Sequence, residues 1–374
     1  MPAYKSAARL RSAIRDERFL GVSLATVAAF AIAGDKMFAA MSNHLVLTVI
    51  FAWLFAVVLG SALAVARHAD RIAEIVGEPY GTLVLTLSVT TIEVLSITAV
   101  MLHGQNNPTL VRDTLFAIIM IILGGMIGVS LLAGGWRHRE QHYNLQSANA
   151  YLGVIIPMAA LPLCLPNFTI TTPGPTLSGP QEVFMVLSAL GLYLAFVSIQ
   201  TGRHRGYFAA SDSGAEHAGE PLGIGRLGWH ILLLFAYILP VVFLAEQLAH
   251  PIDYLIETLH VPGALGGVVI AMLVATPEAI AATRAAWSNR VQRSINISLG
   301  AVLSTIGLTV PLMMAISYFT GHDIVLGLVS ANNLLLVITL IVSVVTFASG
   351  HTNILQGVVH LVLFAAFVML IFQG

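Results

Sequence analysis

Residues 266–283 read GGVVIAMLVATPEAIAAT, and residues 81–98 read GTLVLTLSVTTIEVLSIT. Each stretch is apolar apart from one carboxylate, Glu278 in the first and Glu93 in the second. A constant offset of 185 aligns Gly81 with Gly266, Val84 with Val269, Val89 with Val274, Thr91 with Thr276, Glu93 with Glu278 and Thr98 with Thr283. Six matches in eighteen positions is modest agreement for so apolar a pair. The carboxylate, with a threonine two residues before it in both copies, gives the match its weight. The chain reads as an internal duplication with one isolated acid in each copy.

The 374 residues are 57% hydrophobic and only 9% charged, against about 25% charged in a soluble domain. So few charges cannot clothe a chain of this length in water, and the class is an all-α polytopic membrane protein. After a basic N-terminus carrying Lys5, Arg9, Arg11, Arg15 and Arg18, about 11 apolar segments follow. They fall near 19–34, 45–66, 80–102, 114–134, 149–168, 182–200, 229–247, 264–284, 295–319, 324–348 and 352–372. Most approach the roughly 20 residues that span a bilayer as helix. The first is short, and its Ala31-Ile32-Ala33 end resembles a signal-peptidase site; the long basic region before it argues for a retained helix. The formal net charge of −1 and the lack of a basic block give no sign of a nucleic-acid partner. A single cysteine, Cys164, excludes an internal disulfide and a cysteine-based zinc site.

Placing the N-terminus inside puts fifteen of the seventeen Lys and Arg residues in inside loops, and only Lys36 and Arg112 outside. Positive charge stays on the cytoplasmic side, so the N-terminus is expected inside and the C-terminus outside. Glu93 then lies in the third helix and Glu278 in the eighth. Five helices apart is an odd offset, so the two copies run in opposite directions. The expected division is a cytoplasmic N-terminus with an extra transmembrane helix (1–44), a first five-helix repeat (45–200), a polar linker (201–228) and a second five-helix repeat (229–374). Inverted repeats meeting at the bilayer midplane are the architecture of secondary transporters.

Glu93 and Glu278 are the only acidic or basic residues placed centrally in the eleven spans. A charge at the bilayer centre costs about 2.5 kcal/mol or more on insertion scales, so intramembrane acids are functional by default. Two such acids at equivalent points of an inverted repeat would face each other. The pair can hold protons, or a cation that supplies the missing charge, and the two loads compete for the same oxygens. That competition is the coupling an antiporter needs. A divalent ion neutralises both carboxylates, and calcium accepts 6–8 oxygen ligands in flexible geometry. Ser88, Thr90, Thr91 and Thr276 are candidate supporting oxygens, although such hydroxyls in membrane helices commonly bond their own backbone. Pro277 has no N–H for the Leu273 carbonyl, which makes it a candidate helix break; Ile92 stands there in the first copy. The thirteen histidines are scattered and form no H-E-x-x-H pattern. His360 reads as a hydrogen-bonded residue within the last helix. His250 and His260, with Asp253 and Glu257, read as an acidic, solvated outer loop.

The stretch 273–311, LVATPEAIAATRAAWSNRVQRSINISLGAVLSTIGLTVP, resembles the second alpha-repeat of bacterial calcium/proton antiporters in the cation/calcium exchanger superfamily. The stretch 77–94, GEPYGTLVLTLSVTTIEV, resembles the first. The resemblance covers nearly the whole chain and implies a ten-helix exchanger core plus one helix. It implies that Glu93 and Glu278 match the family's paired acidic ligands. Two departures stand out. Many exchangers carry Gly-Asn or Gly-Ser before the acid, where this chain has Thr-Thr-Ile and Ala-Thr-Pro. Many also place an amide residue in the following helix; here the position 27 after Glu278 is Thr305, preceded by Ser304, and the position 27 after Glu93 is Met120. Ser304 and Thr305 join the candidate supporting ligands.

The expected function is a cation/proton antiporter of a bacterial inner membrane, exporting calcium against inward protons through Glu93 and Glu278. The alternative is sodium or potassium/proton exchange through the same site, and members resembling this chain are linked to that activity. A channel would also use acidic residues. An intramembrane hydrolase is disfavoured, because the spans lack paired aspartates, a histidine-rich zinc pattern and a Ser-His dyad. No enzyme activity and no cofactor are expected, and the partners are the lipid bilayer, the transported cations and protons.

Overall fold

The structure, a computed structural model, describes residues 17–77, 80–103, 107–202, 205–208 and 224–373. Long apolar runs in hydrocarbon must satisfy their backbone groups internally, and helix is the way a single segment does so. Eleven long helices form among the described residues: α1 Arg18–Ala39, α2 His44–Val76, α3 Tyr80–His103, α4 Leu110–His138, α5 Leu145–Leu163, α6 Gly179–Thr201, α7 Ile224–Glu257, α8 Ala264–Trp287, α9 Val291–Thr320, α10 Ser330–Thr346 and α11 Ile354–Gln373. Eight of these segments are long and apolar enough to cross a membrane, and Thr86–Leu102 and Ser330–Thr346 are shorter apolar helices. Their starts carry ordinary signals: Asn43 caps α2, Asn144 caps α5, and Ser178 with Gln181 forms a capping box on α6. Large apolar residues point outward, Ile32 at 85% exposure and Leu239 at 72% among them, as a lipid-facing surface requires.

The duplication persists in three dimensions. α5 and α10 begin at Leu145 and Ser330, again 185 residues apart. The α4 and α9 helices each widen into a π-helical segment, Met120–Met126 and Thr305–Thr309, whose first residues differ by the same 185. α4 and α8 pack backbone to backbone at Gly267, where a Cβ would stand 2.7 Å from the Thr114 amide nitrogen. Small residues at such crossings let membrane helices approach closely.

Hydrogen bonds between loops sort the helix ends into two sets. At one end, Gln141 reaches the Ala286 carbonyl, the Gln292 side chain accepts from the Asn144 amide, Asn296 donates to the Phe208 carbonyl, and β1 (Gln141–His142) pairs antiparallel with β2 (His351–Thr352). Glu17, Arg67, His68 and Tyr237 meet at the same end. At the other end, the amides of Val325, Gly327 and Leu328 donate to the carbonyls of Pro108, Pro175 and Leu163. Loops after odd-numbered helices thus gather at one end and loops after even-numbered helices at the other, as eleven alternating spans require. Arg67, Arg137, Arg290 and Arg293 belong to the first end; Arg112 belongs to the second.

Two expectations about extent change. α2 continues past 66 through Arg67 and His68 to Val76, and α7 continues to Glu257. His250, Asp253 and Glu257 are therefore helical, and of the expected outer loop only His260 lies beyond the helix. The reason is packing: Leu248 and Ile252 extend the buried stripe of α7 beyond the apolar run. The basic segment 1–16 and most of the expected 201–228 linker lie outside the described residues; Arg205–Phe208 forms a single turn.

A reporter fused after Gly374 is expected outside the cytoplasm and one inserted within 209–223 inside, read by a side-specific activity. The same side for both would break the alternation.

Candidate cation site

Glu93 lies midway along α3 and is 1% exposed. A carboxylate so placed needs hydrogen-bond partners, and both come from the other half of the duplication. The Thr305 hydroxyl donates to Glu93 Oε2 at 2.8 Å, and the Thr309 hydroxyl donates to Oε1 at 2.9 Å. Both threonines belong to the π-helical segment of α9, whose wide turn sets residues four apart on one face. Thr305 was legible from its spacing after Glu278. Thr309 was missed, and its signal was present: a second threonine four residues on.

Glu278 follows Pro277 in α8. It is half-buried in the bundle, and its carboxylate has no hydrogen-bond partner among the described residues. The helix runs through Pro277 without interruption, so the expected break is not formed; the flanking turns stay packed, with Leu273, Val274 and Ala275 buried. Pro277 still leaves the Leu273 carbonyl without its usual donor.

The remaining hydroxyls separate from the pair. Ser88 bonds the Val84 carbonyl, Thr91 the Leu87 carbonyl, Thr276 the Met272 carbonyl and Ser304 the Ala301 carbonyl. Each is tied to its own helix, in the way such residues usually are. Thr90 is buried on α3. The repeat-related Thr98 and Thr283 reach across to Met313 of α9 and Ser130 of α4. Each copy's acidic helix therefore leans on the following helix of the other copy.

Exposed positions lie on both halves of the acidic helices: Leu87, Thr91 and Leu102 on α3, and Met272, Ala281, Arg284 and Trp287 on α8. Among the described residues no group of three or more His, Cys, Asp or Glu could hold a metal ion. His360 is a satisfied buried residue: Nδ1 donates to the Leu123 carbonyl at 2.6 Å, and Nε2 accepts from the Thr346 hydroxyl at 2.9 Å.

An inverted helical duplication with one acid per copy defines a secondary transporter of the exchanger type. Known proteins agree. The family described as "Sodium/calcium exchanger protein" matches residues 46–202 and 229–373. The sodium-potassium/proton antiporter ChaA of Escherichia coli (strain K12) is 38% identical over 320 residues, 84% of this chain and 86% of that protein. Among solved structures, native YfkE superposes with a TM-score of 0.73 at 18% identity, covering 95% of this chain and all of that one. The H+/Ca2+ exchanger CAX gives 0.68 at 13% identity, covering 95% and 88%. The chain belongs to the sodium/calcium exchanger family and is a multi-pass membrane protein.

Thr309→Val keeps the shape of the side chain and removes its donor, leaving a buried carboxylate oxygen unpaired at about 1–3 kcal/mol. Exchange in vesicles is expected to fall at least about fivefold, with Thr309→Ser close to the parent. Equal rates for the valine and serine variants would remove Thr309 from the site.

Proposed function

We propose that this antiporter exports calcium in exchange for inward-moving protons through a midplane site formed by Glu93 and Glu278. The membrane is the bacterial inner membrane, with the N-terminus cytoplasmic and the C-terminus outside. The reading is supported by one observation: the lone acid of the first copy, Glu93, is buried and accepts hydrogen bonds from Thr305 and Thr309 of the second copy, while Glu278 stands at the equivalent position of that second copy. Two carboxylates in a low-dielectric interior cannot both stay ionised without company. Protons neutralise them singly, and a divalent ion neutralises both at once. The same oxygens cannot serve both loads, so loading one expels the other. Thr305 and Thr309 hold Glu93 in place through the exchange. No cofactor takes part, and the partners are the bilayer and the transported ions.

A second reading, sodium or potassium in place of calcium, has its own support. The Escherichia coli relative carries that activity in its name, and among the described residues hydroxyls reach only one of the two acids. A channel of the same residues would pass cations without moving protons.

Inverted vesicles holding a proton gradient separate these readings. Calcium is expected to dissipate the gradient at a lower concentration than sodium or potassium. Sodium or potassium acting at equal or lower concentration would put the second reading first, and cation flux without proton movement would overturn antiport.

A further inference from the structure

α2 and α7 are the first helices of the two repeats, and they share an apolar interface. Leu54, Val57 and Val58 pack in one buried cluster with Tyr237, Val241 and Leu244. At the arginine-bearing end that interface finishes in a polar knot. His68 of α2 is 2% exposed, and its Nδ1 lies 3.0 Å from Nδ1 of His230 on α7. On the other side of its ring, Nε2 lies 3.4 Å from Glu17 Oε2. Glu17, just ahead of α1, also accepts from Arg67 at 2.8 Å and from the Tyr237 hydroxyl at 2.9 Å. The Tyr237 ring stacks on His68, with centroids 5.8 Å apart. Side chains from the start of α1, from α2 and from α7 are thus tied at one point. The 185-residue mates of His68 and His230 are Asp253 and Leu45, so the sequence does not repeat the histidine pair at the opposite ends of α2 and α7. The pair is an addition to the duplicated frame rather than part of it.

We infer that His68 and His230 form a regulatory proton-binding site, which pins the cytoplasmic ends of α2 and α7 together while the rings share one hydrogen and releases them when cytoplasmic acid loads both rings. A neutral imidazole carries one N–H. The 3.0 Å gap between the two Nδ1 atoms holds one hydrogen, donated by one ring and accepted by the other. A first added proton can occupy the His68 nitrogen that faces Glu17, and the shared hydrogen stays. A second puts hydrogens on both Nδ1 atoms and a positive charge on each ring, and the contact turns repulsive. Among the described residues, the charges that act on His68 come from Glu17 ahead of α1, Arg67 on α2 and His230 on α7. Asp70, the next acid on α2, feels Arg293 of α9, and Arg71 pairs with Glu74. Arg67 is exposed, so cytoplasmic water reaches the knot. Histidine is the side chain whose charge ordinarily changes between about pH 5 and 8. Alternating access rocks one repeat against the other, and a tie between their first helices at one end resists the opening of that end. Releasing the tie speeds the cycle.

Inverted vesicles turn the cytoplasmic face to the bath, so its pH is set directly. Cation-driven proton release is measured over a bath series from about pH 5 to about pH 8. Saturating calcium is used, and then saturating sodium, because the pin does not depend on which cation is carried. The vesicles hold equal amounts of the parent, His230→Gln, His230→Arg or Glu17→Gln. Each rate is divided by the parent's at the same pH, which cancels the pH dependence of Glu93 and Glu278. Glutamine keeps a hydrogen-bonding side chain that takes up no proton, and arginine is charged throughout. His230→Gln is expected to match the parent near the alkaline end and to run about two- to tenfold slower near the acid end, the effect of one hydrogen bond. His230→Arg is expected to run faster than the parent by about the same factor near the alkaline end and to match it near the acid end. Glu17→Gln removes the carboxylate that favours a charged His68, and it is expected to move the acid-induced change to lower pH. It lies at the start of α1 and keeps the test decisive if the His230 variants fail to insert. Flat ratios in His230 variants that still exchange, the opposite order of the two, or an unmoved profile in Glu17→Gln would overturn the inference.

Discussion

Two hydroxyl protons on one buried carboxylate hold the centre of this molecule together. Glu93 sits on α3, and Thr305 and Thr309 sit on α9, so among the described residues the acid of the first copy is satisfied by the second. An uncompensated acid in hydrocarbon is expensive, and its partners must arrive from a neighbouring helix because the backbone of α3 is already paired within itself. The π-helical widening of α9 brings both hydroxyls to the same carboxylate.

The rest of the architecture follows from repeating one unit in the opposite sense. The offset of 185 fixes the acids, the π-helical segments of α4 and α9, and the starts of α5 and α10. It lapses at the last helix of each copy, since α6 begins at Gly179 and α11 at Ile354. The lapse matters, because α11 closes onto α4 at Gly124, Gly125 and Gly128. At Gly124 a Cβ would fit only tightly, 3.1 Å from the Phe364 Cβ.

Much of this could be read from residues alone. The number of spans followed from segment length and from the alternation of arginine-bearing loops, both direct consequences of the bilayer. Glu93 and Glu278 stood out as the only central charges. Other features had no signature in composition. A π-helical turn uses the same residues as an α-helical one, so the widening of α4 and α9 left no mark in the sequence. α2 and α7 outrun their apolar stretches because polar residues on one side of a helix do not end it while Leu248 and Ile252 remain buried on the other. Pro277 suggested a break, but the surrounding packing carries the helix through.

The central claim is that Glu93 and Glu278 together carry the exchanged loads. Its most direct test is cation-dependent proton release from vesicles holding equal amounts of the parent, Glu93→Gln and Glu278→Gln. Glutamine keeps the size and hydrogen-bonding reach of the side chain and removes only its capacity for charge, whereas truncation would also open a cavity. With one carboxylate gone, a bound divalent ion leaves net positive charge in a low-dielectric interior. Both variants are expected to insert and fold and to show no cation-dependent proton release. Near-parental release by either one would make that carboxylate structural and contradict the shared-site account.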